Sequence, residues 1–229
     1  MNPDTEFKSK ILDTLQHKAS IKQQVNDNTV AVFDMLKEAL HEMITDIDET
    51  LEEKIDKNIK IEYRDKGKFE AHAYIAEDVL VFSLDSDIYQ FHREHKVWLN
   101  PYVANDRDNS YCGIINIYNF LADSFNFKRG EDEGYLIGRI FVNRNMHYFV
   151  EGKRQNSQRV EKFGSAVIDR KIITDILETA IDYALNFDLL VPPYDFIKKA
   201  QAEQFNTRFE SSKLKSGKRM GYDFFTDDI

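Results

Sequence analysis

Residues 134–154, GYLIGRIFVNRNMHYFVEGKR, decide the fold because they read as a β-hairpin whose first strand is apolar on both faces. Tyr135, Ile137 and Phe141 point one way while Leu136, Ile140 and Val142 point the other. That pattern belongs to a strand covered on both sides, and so to one central in its sheet. Asn143-Arg144-Asn145 supplies the turn, since asparagine tolerates left-handed backbone angles, and residues 146–151 return as the second strand. A turn centred on Arg144 sets Ile137 or Gly138 opposite Glu151.

Working outward toward the C-terminus, residues 155–164 are polar. Asp169 then caps a helix whose wide apolar face (Ile172, Ile173, Ile176, Leu177, Ala180, Ile181, Ala184) lies on the sheet. Leu189-Leu190-Val191 is a short apolar run, Pro192-Pro193 enforces a break, and a further helix starts at Tyr194. In the other direction the spacing of Ile114, Ile117, Tyr118, Leu121 and Phe125 predicts a helix over 113–125, although the isoleucine-rich run also suits a strand. Residues 102–110 read as a solvated loop and 88–98 as a short helix. Three strands (59–64, 69–75 and 79–84) alternate in polarity and form an antiparallel meander. Before them, apolar residues from Phe33 to Ile55 recur every three or four positions as a long amphipathic helix. Asn26-Asp27-Asn28-Thr29 separates it from a first helix that carries Phe7, Ile11, Leu12 and Leu15 on one side.

The expectation is therefore an α+β fold with a mainly antiparallel sheet of about five strands, covered by long amphipathic helices. Residues 1–27 form a helical extension, 28–210 a single domain and 211–229 a flexible tail. The order of amphipathic helix, meander, helical crossover, hairpin and covering helix is similar to the profilin-like group that includes GAF, PAS and roadblock modules. That resemblance implies binding of small ligands or proteins rather than catalysis.

The formal charge of −9 argues against a surface that tracks nucleic acid. The segment 128–171 is locally basic, with ten Lys/Arg against six Asp/Glu, or +4, which leaves −13 elsewhere. Cys112 is the single cysteine, which excludes an intrachain disulfide and suits a reducing, cytoplasmic compartment. No run approaches the ~18 apolar residues of a membrane span. No Gly-rich phosphate loop, serine elbow or zinc signature is present, and no metal or cofactor is implied.

Two catalytic alternatives stand beside the binding reading. Glu151-Gly152-Lys153 at a strand end resembles the restriction-endonuclease-like placement of a metal ligand and a catalytic lysine, which implies a metal-dependent nuclease with acids converging on Glu151. Cys112 ahead of a helix, with His147 as its base, resembles the papain-like layout of a cysteine hydrolase. His92 and His95, three apart on a helix, have a spacing that can bind a metal but lack a matched second pair. Arg139 falls mid-strand on a face expected to be covered, so it requires an acid such as Glu70 or Glu151, or an anionic ligand shared with Arg144 and Lys153. The tail combines Tyr222, Phe224, Phe225 and Ile229 with acids and suits docking on a protein partner or a second copy of the chain.

Overall fold

The computed structural model describes residues 3–52, 59–154 and 159–187. The readings for Leu189–Val191, the helix from Tyr194 and the tail residues Tyr222, Phe224, Phe225 and Ile229 lie outside them. Helix α1 (Pro3–Glu52) precedes three strands, β1 (Ile61–Asp65), β2 (Glu70–Ile75) and β3 (Asp78–Leu84). A two-residue strand β4 (Tyr89–Gln90) and the short helix α2 (Pro101–Asn105) lead to β5 (Tyr111–Leu121). Then follow α3 (Ala122–Asn126), the hairpin β6 (Tyr135–Asn143) and β7 (Tyr148–Gly152), and α4 (Arg170–Leu185). All pairings are antiparallel, in the order β1-β2-β3-β5-β6-β7, with β4 on β5. The expected α+β architecture is present, with seven strands rather than five.

One face of the sheet is covered by α1 and α4. Val32, Phe33, Leu36, Leu40 and Ile44 of α1 and Ile173, Ile176, Leu177 and Ile181 of α4 interdigitate with Ala71, Ala73, Leu80, Phe82, Ile115, Ile117, Ile140 and Val142. Each large apolar side chain so buried contributes about 1.5–3 kcal/mol, so this layer dominates the stability of the fold. Asp169 caps α4 as the sequence predicts, its carboxylate accepting the Ile172 N–H at 2.9 Å.

Several expectations are corrected. α1 runs unbroken through Asn26-Asp27-Asn28-Thr29, because those polar side chains are used within the helix or across it. Thr29 Oγ1 donates to the Val25 carbonyl at 2.7 Å, Gln23 donates to Asp27 at 2.7 Å, and Asn28 donates to the carbonyls of Asn143 and Arg144 at 3.1 and 2.7 Å. The helix descends so closely here that a Cβ on Gly113 would lie 2.1 Å from Thr29 Oγ1. Residues 113–121 are strand rather than helix. Ile115 and Ile117 feed the helical face while Cys112 and Ile114 feed the other, so a strand apolar on both faces imitated helical spacing. β5, flanked by β3, β4 and β6, is the central strand in place of β6.

Residues 88–98 form no helix beyond a 3₁₀ turn at Lys96–Leu99, and 101–110 are not a plain loop but α2 and a second 3₁₀ turn at Arg107–Ser110. Asn100 organises this region: its Oδ1 accepts the Tyr102 N–H at 2.9 Å and its Nδ2 donates to the carbonyls of Val160 and Phe163 at 2.9 and 3.1 Å. The hairpin turn is residues 144–147 rather than 143–145, and Asn143 Oδ1 pins it by accepting the N–H groups of both Asn145 and His147. Met146, not an asparagine, takes the left-handed conformation, at φ 59°. The register consequently sets Arg139, rather than Ile137 or Gly138, opposite Glu151.

Candidate functional site

Among the described residues no long helix lies over the second face of the sheet. At the hairpin end Phe141, Phe149, Phe163, Val97, Val103 and Cys112 form a small core, and at the other end Tyr74, Val79, Val81 and Ala122 form another. Between them the strand registers align Glu70, Ser83, Asn116, Arg139 and Glu151 as successive cross-strand neighbours. Strand alternation places all five on this face, and all are half-buried. The polar row spans five strands at about 4.8 Å each.

Each end of the row is a carboxylate paired with a histidine. Glu151 Oε2 accepts from Arg139 Nη2 at 2.5 Å, and its Oε1 lies 3.0 Å from His95 Nε2. His95 Nδ1 accepts the Val97 N–H at 3.2 Å, which assigns the ring proton to Nε2 and directs it at Glu151. Phe91 stacks on the imidazole at 4.6 Å. Both ring nitrogens are thus occupied, so His95 has none to offer as a proton acceptor for a reacting group. At the opposite end His72 Nε2 lies 2.6 Å from Glu70 Oε1, with Phe125 edge-on at 5.0 Å. Burial pushes the His72 pKa down against the raising effect of Glu70. Its Nδ1 has no hydrogen-bond partner among the described residues.

Of the residues singled out in the sequence, Glu151 and Arg139 meet. The guanidinium is not deeply buried, however, with 41 % of its side chain exposed, so the pair contributes about 0–1 kcal/mol. Glu151 is met by a guanidinium and an imidazole N–H rather than by acids, and Lys153 stands exposed past the end of β7. Among the described residues no group of three His, Cys, Asp or Glu side chains is arranged to hold a metal ion. Arg144 belongs to the hairpin turn, about 16 Å along the strand from Arg139. There it is bound by Asp106, Asp108 and Asn109. Cys112 lies in β5, fully buried, and does not open a helix; burial pushes its thiol pKa up, the reverse of what a nucleophile requires. His147 packs edge-on against Tyr102 at 4.9 Å, and burial lowers its pKa.

Two further features bear on function. The first, the helical extension expected from the sequence, is the arm of α1, residues 3–20, which extends about 27 Å at the rise of a helix and whose apolar face is open. Phe7, Leu12 and Leu15 are 67, 65 and 60 % exposed and Ile11 is 41 % exposed. At 3.6 residues per turn, Phe7, Ile11 and Leu15 lie within roughly 40° of the direction in which Thr29, Leu36 and Leu40 meet the sheet. The stripe is the core-facing side of α1 continued past the edge of the sheet. His17, 2.9 Å from Asp108, marks the point at which the arm leaves the body.

The second is a pair of cavities on either side of residues 90–98. One, of about 480 Å³, is lined by His95, Lys96, Glu151, Gly152 and Arg159. The other, of about 900 Å³, is lined by Gln90, Phe91, His92, Arg93, Trp98 and Arg107.

No family model, no curated protein and no solved structure matches this chain. Among the described residues no helix is long and apolar enough to cross a membrane.

Proposed function

We propose that the protein is a non-enzymatic interaction module that associates through the arm of α1, with a second copy of the same chain as the occupant. The observation that carries this reading is the run of Phe7, Ile11, Leu12 and Leu15, four large apolar side chains open on one rigid helix. Exposure of this kind is unfavourable unless the side chains are covered.

Charge selects the partner and its direction. Asp4 and Glu6 precede the stripe, Lys8, Lys10 and Asp13 are interleaved with it, and Lys18 follows it. Two arms laid parallel would set Lys18 against Lys18 and Asp4 against Asp4. Laid antiparallel about Ile11, they set Phe7 of one copy against Leu15 of the other and Asp4 against Lys18. The arm's length suits this arrangement, because the body begins only near Ile21, which is buried, so the tip of one helix reaches the other body without displacing it. The interface is at the small end of stable interfaces, which calls for reversible association.

The occupied nitrogens of His95, the pairing of Glu151 with Arg139 and the buried thiol of Cys112 favour binding over the nuclease and hydrolase alternatives. A reducing, cytoplasmic setting fits a single buried cysteine. Contact through Tyr222, Phe224, Phe225 and Ile229 remains a second proposed route to a partner. Sedimentation equilibrium tests the main reading. Wild type should shift from monomer to dimer as concentration rises, and Ile11→Glu with Leu15→Glu should abolish the dimer. Reversing Lys18 to Glu should weaken the dimer, and adding Asp4→Lys should restore it. A wild type that stays monomeric at all concentrations overturns the proposal.

A further inference from the structure

We infer that the cavity of about 900 Å³ between β4 and α2 is a binding site for an anionic ligand with a planar ring, of the nucleoside monophosphate kind. This goes beyond the arm and does not depend on it. The cavity combines two kinds of group. Trp98, half-buried, offers an aromatic face, and Arg93, Arg107 and His92 stand exposed along the same wall.

What distinguishes these arginines is that neither guanidinium is paired among the described residues. Arg93 and Arg107 form no ion pair with another described residue, whereas Arg64, Arg139, Arg144, Arg154 and Arg170 all do. The acids close to Arg107 in sequence are engaged elsewhere: Asp106 binds Arg144, and Asp108 binds His17 and lies 3.7 Å from Arg144. Glu94 is turned toward His92, 4.0 Å away. Two guanidinium forks left open beside a cavity match the bidentate geometry of a phosphate, with charge-assisted bonds roughly twice as strong as neutral ones.

The wall is held in place. Trp98 Nε1 donates to the His92 carbonyl at 2.9 Å, Gln90 Nε2 donates to Ser110 Oγ at 3.0 Å, and Asp106 caps the turn that bears Arg107 by accepting the Asp108 N–H at 3.1 Å. Phe91 packs on Phe141 and Phe149 at 5.2 and 5.6 Å, which joins the cavity floor to the small core beneath. A planar ring stacks on Trp98 while its phosphate reaches Arg93 and Arg107.

Trp98 is the single tryptophan of the chain, so its fluorescence reports on this cavity and nowhere else. Emission excited at 295 nm is followed during titration with AMP, adenosine and orthophosphate, with calorimetry on the same samples. AMP is expected to give a saturable change, and both fragments are expected to bind more weakly than AMP. Arg93→Ala and Arg107→Ala should each weaken AMP about tenfold, as expected for loss of one charge-assisted contact. Both arginines are exposed, so the thermal midpoint of these variants should match wild type. Absence of saturable AMP binding up to millimolar concentration overturns the inference. So does AMP binding that is unchanged in the double variant, or orthophosphate binding as tightly as AMP.

Discussion

Along α1, the residues from Ile21 to Ile44 and those from Phe7 to Leu15 turn the same helical face in the same direction, yet only the first group has a sheet beneath it. Both stretches are built from large aliphatic and aromatic side chains at spacings of three and four. What differs is the partner: Leu36 and Leu40 are fully buried, and Leu12 and Leu15 mostly exposed. Amphipathic periodicity records that a face is to be covered, not what covers it. In the body the cover is the chain's own sheet, and for the arm the proposed cover is a second copy of the chain.

Substitutions separate the two regions most strongly where the sheet is present. Phe33→Ala should cost about 3–5 kcal/mol and Leu36→Ala about 2–5 kcal/mol in urea unfolding. For a domain of this size that lowers the thermal midpoint by roughly 10 °C. A loss below 1 kcal/mol at both positions would mean that α1 does not rest on the sheet as described. Gly113→Ala tests the closest approach of helix and strand. The added methyl meets Thr29, so a loss of about 1–3 kcal/mol is expected, partly recovered by adding Thr29→Ala. Asn28→Ala removes both bonds to the hairpin turn and should cost about 1–2 kcal/mol, read in the same way.

Acid sharpens the contrast from another side, because the histidines with depressed pKa values, His72 and His147, belong to the body. Each is held neutral in the folded chain and takes up a proton more readily once unfolded. Their contribution is complete above the ordinary histidine value near 6.5 and declines as pH falls through it toward the folded values. The midpoint should therefore drop between about pH 7.5 and 5.5, and His72→Phe should flatten that profile. The smallest effect belongs to the arm. In dilute solution Leu15→Ala should change unfolding stability by no more than about 0.5 kcal/mol, because little packs against it there.

Much of the body was legible from alternation and spacing. The three-strand meander, the β6-β7 hairpin and the Asp169-capped helix stand where residue patterning placed them. The failures have local causes. Polar Asn28 and Thr29 resembled a helix break because their partners, Asn143, Arg144 and the Val25 carbonyl, lie outside any local window or within the helix itself. The run from Ile114 to Tyr118 resembled a helix because both faces of β5 are covered. The Arg139–Glu151 pair was foreseen as a demand for charge compensation, although the register that delivers it depends on the side chain of Asn143. The cavity around Trp98 was not foreseen. It is assembled from residues 90–107 by caps at His95, Asn100 and Asp106, which leave no periodic trace.

Hydrogen exchange along α1, measured at rising protein concentration, tests the central claim most directly. The account predicts slow, concentration-independent exchange for residues 25–45 and exchange in residues 7–18 that slows as concentration increases, as the arms pair. Arm amides whose rates stay the same across that range, or a discontinuity of fast exchange at residues 26–29, would contradict it.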